Sequence, residues 1–424
     1  VRVLLLTHGT RGDVQPFVAL ALALTGAGHT ALLAGPSSSA SLAEAAGIDF
    51  HPVDEGPNRL LDEVRDSGGG VPELRGLRGV AQGASLVRRI RPLLRRVFDD
   101  MADAAEAGAD LVVHIAGMPG RDIAAALGAP NLPVALQPSW VPTNAFPAPG
   151  VPWPAWTPDA LNPLSYRLAA LALRGQRSVV EDFRGRRLRL PSGTVPHDPL
   201  LRPDGGRAPL LQPFSRHLLP PGTGYPPHVH TTGFWYLPPA PEEILSPDLD
   251  AFLGAGDPPV FVGFSSMPTA EPEALGRLVV GAARRAGVRA VVASGWGGIA
   301  AEAGDDVLVI DRAPHALLFP RCAAVVHHGG AGTIGAALAA GRPQVVCPFW
   351  GDQPFWARRV HASGVGTAPL RGQDLTEDAL ARALSRAVRD PLLADRARTL
   401  GEAARAEDGT GAALTLAEAA VATG

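Results

Sequence analysis

Short apolar runs, each followed by a polar glycine-containing loop and then by a stretch of helical length, recur along this 424-residue chain. Val1 to Leu6 is β-branched and leucine-rich and predicts a strand. The loop Thr7-His8-Gly9-Thr10-Arg11-Gly12-Asp13 follows, and Val14 to Thr25 predicts a helix that ends at Gly28-His29. Strands over Thr30 to Ala34, Asp110 to Ile115 and Leu132 to Gln137 alternate with helices over Ser41 to Ala46 and Arg121 to Leu127. Strand, loop and helix repeated in that order predict a parallel sheet of the α/β class. The alternation restarts with a strand at Val260 to Gly263, a helix at Pro272 to Ala286 and a strand at Val288 to Ala293. Helices over 376–389, 391–406 and 409–422 close the chain.

Three stretches break the pattern. Between 54 and 100, Ser67 to Gly70 predicts a loop, and Arg75, Arg78, Arg88, Arg89, Arg91, Arg95 and Arg96 meet no acidic neighbour in the segment Arg75 to Val97. A solvated helix face is the reading preferred over contact with anionic lipid or an acidic acceptor. From Trp140 to Pro158, Trp140, Phe146, Trp153 and Trp156 are interleaved with prolines, which describes either a stiffened mouth for a flat apolar ligand or an irregular lid packed on its domain. Arg184 to Arg189, after a helix expected over 165–183, reads as a solvated basic cluster.

Composition bounds the function class. The length points to two domains of about 200 residues each. A net charge of -3 gives no reason to expect nucleic acid, and all 38 basic Lys+Arg positions are arginine. Cys322 and Cys347 lie beside apolar runs outside any metal-binding spacing and read as reduced, buried thiols of a cytoplasmic protein. The opening apolar run is too short for a signal or spanning segment, and nothing later reaches spanning length. Asp248-Leu249-Asp250 has the spacing of a metal motif, yet it follows Ser-Pro at a predicted helix start, where acidic residues complement the helix dipole.

The chemistry concentrates at Val325 to Gln353, VVHHGGAGTIGAALAAGRPQVVCPFWGDQ. A strand ends in His327-His328, a turn runs through Gly329-Gly330-Ala331-Gly332-Thr333, and a small-residue helix continues to Gly341. Glycines let backbone N–H groups approach an anion, and the helix N-terminus adds partial positive charge, so a phosphate is the fitting guest. Asp352-Gln353 stands after a second strand, where a hydroxylated group would lie beside the phosphate. At the first loop the spacing is G-x-x-G, which counts against a dinucleotide-binding dehydrogenase.

This constellation resembles the donor-binding segment of the UDP-glycosyltransferase superfamily, in the branch of sterol glucosyltransferases and actinomycete antibiotic glycosyltransferases. The resemblance covers nearly the whole chain and is strongest over 1–20 and 229–367. It implies a GT-B fold: α/β, with two Rossmann-like parallel-sheet domains facing across a cleft. The expected division is an acceptor domain over 1–236, a linker over 237–247, a donor domain over 248–408, and a last helix, 409–424, returning to the first domain. It further implies that His327 binds the α-phosphate, that Gly329, Gly330, Ala331, Gly332 and Thr333 hold the β-phosphate region, and that Asp352 and Gln353 bind sugar hydroxyls. Asp13 takes the place of the catalytic base, with Thr10 and Arg11 near the donor phosphates and His8, where the branch has an apolar residue, able to assist or replace it. Ser265, which replaces a glycine, and Ser266 fall by the phosphate or ribose, Trp296 by the nucleoside, and Arg312, Ala313 and His315 by the nucleobase. Trp140, Asn144, Phe146 and Trp350 are the candidate acceptor contacts.

The function so implied is inverting transfer of a sugar, glucose first among the candidates, from UDP-glucose or a dTDP-sugar to a hydroxyl of an apolar natural product, antibiotic or sterol. No metal and no other cofactor is expected, because helix dipole, amides, Arg11 and His327 would do a cation's work. The structural reading of Asp13 is a helix cap. The alternatives are a UDP-sugar epimerase of the same fold and a non-catalytic small-molecule-binding protein on that scaffold. Nucleic acid is excluded as a partner, and membrane contact is expected to be weak.

Overall fold

The computed structural model describes residues 1–66, 76–154, 156–174, 176–191, 198–240, 242–264, 271–295 and 299–423. The predicted loop Ser67 to Gly70 and Arg75 lie outside them. The chain divides into two compact units: residues 1–213, 222–237 and 408–424 form the first, and residues 214–221 and 238–407 the second.

The first unit is built on a seven-stranded sheet of β1 (Arg2–Leu6), β2 (Thr30–Pro36), β3 (Asp49–Val53), β4 (Leu111–Ile115), β5 (Asn131–Val134), β6 (Leu210–Gln212) and β7 (Val229–Thr231). Their order is β3-β2-β1-β4-β5-β6-β7, and every pair is parallel. Four of the five residues of β1 are buried, as a strand covered on both faces requires. Winding reverses between β1 and β4, so the loops leaving these two strands flank the crevice that such a sheet leaves at its carboxyl ends. The last helix, Gly409–Thr423, belongs to this unit: Ala413 and Ala417 share a core with Phe17, Leu20 and Trp235. Phe17 meets Trp235 edge to face at 6.2 Å.

The second unit carries five parallel strands: β8 (Val260–Gly263), β9 (Ala290–Ala293), β10 (Val307–Ile310), β11 (Ala324–His327) and β12 (Gln344–Val346). Their order is β10-β9-β8-β11-β12, which puts the reversal between β8 and β11. Val260, Val262, Val326 and Val345 pack on the helices Pro272–Ala286 and Glu377–Arg389. Asp248 and Asp250 do fall in the first turn of a helix, Pro247–Gly254, capped by Ser246, and Asp250 pairs with Arg321.

Several expectations need correction. Residues 214–221, assigned by sequence to the first domain, belong to the second unit because Phe214 packs on Trp356 at 5.4 Å and Arg359 donates to the carbonyls of Leu218 and Leu219. The helix expected over 165–183 is two helices, Asn162–Arg174 and Arg177–Arg186. The basic cluster after it is not merely solvated: Arg184 pairs with the buried Asp122, Arg186 with Asp99 at 2.8 Å, and Arg187 with Asp103 and Glu106. In the preceding arginine-rich helix, Arg89 meets Glu63 at 2.9 Å and Arg95 meets Asp182 at 3.4 Å, partners that are remote or outside the segment in sequence. Among the described residues no helix is long and apolar enough to cross a membrane.

Candidate active site

In the first unit the loop after β1 is shaped around Asp13. The helix Arg11–Gly26 begins there with Thr10 as its N-cap, so Asp13 occupies the third helical position rather than the cap itself. Its Oδ2 accepts from the Thr10 backbone N–H at 2.7 Å and from the Thr10 hydroxyl at 3.0 Å, a carboxylate reaching back to the cap as in a capping box. Gly9 has φ +133°, and a Cβ there would lie 2.3 Å from the same oxygen, so only glycine leaves room for this rotamer. The aspartate therefore caps the helix and is held in one orientation. Arg11 is exposed and bonds Gln15 at 3.3 Å.

His8 is only 8 % exposed, its Nε2 meets the Asp54 carbonyl at 3.0 Å, and burial lowers its pKa. Because a carbonyl only accepts, the ring spends its N–H on Asp54. With the N–H on Nε2, Nδ1 is the nitrogen that keeps the lone pair.

Trp140 lies against the loop after β4: a Cβ on Gly117 would come within 3.4 Å of its ring. It thus stands at the same crevice as the Asp13 loop. Asn144 is exposed, and its carbonyl accepts from Asn162 at 2.8 Å. Phe146 is buried at 5 %, with its carbonyl held by the Tyr166 hydroxyl at 3.2 Å, so it packs the segment instead of offering a ring to a ligand. Trp156 is 83 % exposed.

In the second unit the glycine turn leaves β11 at the β8/β11 reversal. Gly329 has φ +99°, and Gly330 is the N-cap of the helix Ala331–Ala339. The first intrahelical bond runs from Ile334 N–H to the Gly330 carbonyl, so the amides of Ala331, Gly332 and Thr333 precede the helical ladder. Nothing lies within 4 Å of where a Cβ on Gly332 would stand, and the residue is exposed. The turn is therefore an open cradle of N–H donors at a helix start, suited to a diphosphate.

The two histidines behave differently. His327 is fully buried; its Nε2 meets Gln344 Oε1 at 3.0 Å, and its Nδ1 accepts from Gly329 N–H at 3.1 Å. Without a ligand, both nitrogens of the ring expected at the α-phosphate are thus engaged inside the protein. His328 is partly exposed, and its Nδ1 is buried without a hydrogen-bond partner. Burial pushes the two pKa values down to about 3 and about 4.

Both rings are therefore neutral in the folded protein, while the unfolded chain titrates them near 6.5. As the pH falls below about 6.5 the unfolded chain takes up protons that the folded one refuses, so stability is full above that pH and declines toward 4, by up to ~1.4 kcal/mol per histidine per pH unit. The thermal midpoint is expected to be lower at pH 5 than at pH 7. His328→Gln should flatten the difference, and calorimetry at both pH values checks it.

Asp352 precedes the helix Gln353–Ala362; its Oδ2 accepts from Trp356 Nε1–H at 3.0 Å, and burial raises its pKa. Gln353 turns its Oε1 onto the amides of Phe349 at 2.9 Å and Trp350 at 3.3 Å, so that oxygen shapes the turn rather than reaching outward. Trp350 is 38 % exposed. Arg312 is exposed, Ala313 is partly buried, and His315 stacks on Phe319 with ring centroids 4.2 Å apart. Ser265, Ser266 and Trp296 lie outside the described residues. Gln344, which holds His327, and Trp356, which holds Asp352, were not singled out from sequence; a glutamine opening an apolar strand was the one available signal.

Comparison with known proteins gives this geometry its context. Residues 3–96 match the glycosyltransferase family 28 N-terminal domain, and residues 290–411 match the erythromycin biosynthesis protein CIII-like C-terminal domain. The chain is 36 % identical to O-mycaminosyltylonolide 6-deoxyallosyltransferase of Streptomyces fradiae, covering 99 % of this chain and 97 % of that one. It is 34 % identical to sterol 3-beta-glucosyltransferase UGT80A2 of Arabidopsis thaliana over 98 % of this chain, and it spans 64 % of that relative's length. Among solved structures it resembles the glycotransferase of kitacinnamycin, with a TM-score of 0.72 at 20 % identity over 99 % of both chains. It also resembles the glycosyltransferase VinC in complex with dTDP, with a TM-score of 0.68 at 20 % identity over the whole of both chains. The chain is a glycosyltransferase and belongs to the UDP-glycosyltransferase superfamily of GT-B fold, in the branch shared by sterol glucosyltransferases and actinomycete antibiotic glycosyltransferases.

Proposed function

We propose that the protein transfers a sugar, glucose being the first candidate, from a nucleoside diphosphate sugar to a hydroxyl of an apolar acceptor of sterol or macrolide type, with inversion. The observation that carries the donor class is the amide cradle from Gly330 to Thr333, placed at the sheet reversal with open space over Gly332. In a single displacement Asp13 accepts the acceptor's hydroxyl proton, the oxygen bonds to the anomeric carbon, and the bond from that carbon to the diphosphate breaks. The charge on the leaving diphosphate is met by fixed dipoles, which act strongly where water is excluded. Asp352, beside the cradle's strand, is the candidate for the sugar hydroxyls.

The relatives act on two acceptor classes by name, a sterol and a tylonolide, and the donor nucleotide is open between UDP and dTDP, so the test is a grid: UDP-glucose and dTDP-glucose, each against a sterol and a macrolide, with and without chelator. Turnover of one pair that persists in chelator supports the reading. Hydrolysis of donor without transfer, or loss of activity on chelation, counts against it.

Trp140 and Phe146 separate acceptor binding from packing. Trp140→Ala is expected to raise the acceptor KM several-fold and leave the donor KM unchanged, since its ring flanks the first unit's crevice. Phe146→Ala is expected to lower the melting temperature instead, because a buried phenylalanine costs about 3–5 kcal/mol when truncated. Paired substrate titrations with a melting curve for each variant check both.

A further inference from the structure

The peptide that joins Gly9 to Thr10 carries an inference that rests on the reading of Asp13 as the base and deepens it. We propose that Asn58 is a positioning residue for that carboxylate and acts on it through this one peptide.

The two ends of the peptide have different partners. Its carbonyl, that of Gly9, accepts from Asn58 Nδ2–H at 2.8 Å. Its N–H, that of Thr10, donates to Asp13 Oδ2 at 2.7 Å. The peptide is trans, a rigid plane whose C=O and N–H point in opposite directions. Turning the carbonyl toward Asn58 therefore aims the N–H at the carboxylate. The same bond polarises the peptide and makes its N–H a stronger donor.

An outside tie is needed here because of Gly9. A Cβ at this position would stand 2.3 Å from Asp13 Oδ2, and φ is +133°, so the residue has to be glycine. Glycine leaves the peptide that follows it easy to rotate. A flip would turn a carbonyl oxygen toward the carboxylate in place of an N–H. Asn58 opposes that flip by holding the carbonyl on the far side.

Asn58 has a fixed base from which to do this. It lies in the first turn of the helix Gly56–Asp66. Just before that turn, Asp54 N–H donates to Asp100 Oδ2 at 2.8 Å, on the helix Gly76–Ala104, and Gly56 N–H donates to Asp54 Oδ1 at 2.7 Å. A Cβ on Gly56 would come within 2.7 Å of Leu93, so the two helices meet there with no room for a side chain. The loop is tied to the same corner a second time and in the opposite sense, because His8 gives its Nε2–H to the Asp54 carbonyl at 3.0 Å. Residues 8 and 9 are thus clasped by residues 54 and 58, which belong to neither the strand before the loop nor the helix that carries Asp13. Of the two ties, the one from Asn58 bears on the peptide that faces the carboxylate.

Solvent exchange of the Thr10 amide in the whole protein, followed by NMR, tests the assignment together with steady-state kinetics on the substrate pair that turns over in the grid above. In Asn58→Ala the Thr10 amide is expected to exchange about tenfold faster than in wild type, with the Ile334 amide of the other unit unchanged as reference. Turnover should fall about tenfold with both KM values within about twofold, since misplacing a reacting group costs rate more than binding. The melting temperature should stay within about 4 °C of wild type, the scale for one neutral hydrogen bond. Asn58→Asp has nearly the same shape but only accepts, so it should lose more turnover than Asn58→Ala. In an Asp13→Asn background, Asn58→Ala should cost less than about twofold more, because a residue that acts through the carboxylate has nothing left to position. An unchanged Thr10 exchange rate in Asn58→Ala would overturn the proposal, as would a loss of turnover that simply multiplies with that of Asp13→Asn. If Asp13→Asn keeps wild-type turnover, or no substrate pair turns over, the base reading fails, and the tie from Asn58 to the Thr10 amide stands or falls on the exchange rate alone.

Discussion

Asp13→Asn is expected to lower turnover at saturating donor by on the order of a hundredfold or more and to leave the donor KM within about twofold. The reasoning combines chemistry with the local fold. Asparagine keeps an oxygen that can accept from Thr10, as Asp13 Oδ2 does at 2.7 Å, so the start of the helix Arg11–Gly26 should survive. Loss of the negative charge near the helix N-terminus costs only about 0.3–1 kcal/mol of stability. What is removed is basicity, so the loss should appear in turnover and not in the melting curve. Gly9→Ala is an independent approach to the same atom. It leaves the carboxylate in place chemically but puts a methyl where Oδ2 stands, and the φ of +133° disfavours any side chain. It should therefore also depress turnover with Asp13 intact. Steady-state kinetics of both variants decide the matter: near wild-type turnover in Asp13→Asn would take the base role away from Asp13, and a companion His8→Asn variant would show whether His8 holds it despite its bond to Asp54.

How much of this was legible in the sequence depends on the range over which each feature is determined. Strands such as Val260–Gly263 and helices such as Pro272–Ala286 were readable to the residue, because an apolar run bounded by polar turns fixes them locally. The first helix was expected from Val14 and begins at Arg11, since the cap at Thr10 is decided by a side chain that reaches back three residues. The three-residue strand Leu210–Gln212, flanked by Pro209 and Pro213, is too short to show any period, and only the register of β5 and β7 beside it makes it a strand. Charge pairing was the least legible. Arg184, Arg186 and Arg187 looked solvated because their partners Asp122, Asp99, Asp103 and Glu106 lie more than sixty positions away.

The candidate site divides along the same line. The glycine turn and the Asp13 loop announced themselves because backbone geometry demands those residue types. The roles within them did not. His327 and His328 are chemically identical in a sequence, and only the burial of one beside Gln344 distinguishes them. Likewise nothing in the sequence shows that the Gln353 oxygen rests on the amides of Phe349 and Trp350.

Trp356 is the residue whose removal should cost the second unit most. It is fully buried, meets Phe214 at 5.4 Å and Phe355 at 5.1 Å, and donates its Nε1–H to Asp352 Oδ2 at 3.0 Å. Trp356→Ala is expected to destabilise by about 3–5 kcal/mol, the range for truncating a large buried aromatic, which corresponds to a fall of roughly 6 to 20 °C in melting temperature for a unit of this size. It would loosen residues 214–221 as well, because Phe214 loses its packing partner while Arg359 still holds Leu218 and Leu219. Trp356→Phe separates packing from hydrogen bonding. It fills most of the space but leaves the partly buried Asp352 carboxylate without its indole donor, a loss on the order of 1–3 kcal/mol. If Asp352 contacts the sugar, the Phe variant should stay folded at assay temperature and show a raised donor KM with an unchanged acceptor KM. Thermal melts and paired substrate titrations measure both variants. A Phe variant with wild-type donor KM would show that Trp356 serves the core alone, and an Ala variant that melts within about 3 °C of wild type would mean that the packing around it relaxes far more than a fully buried indole allows.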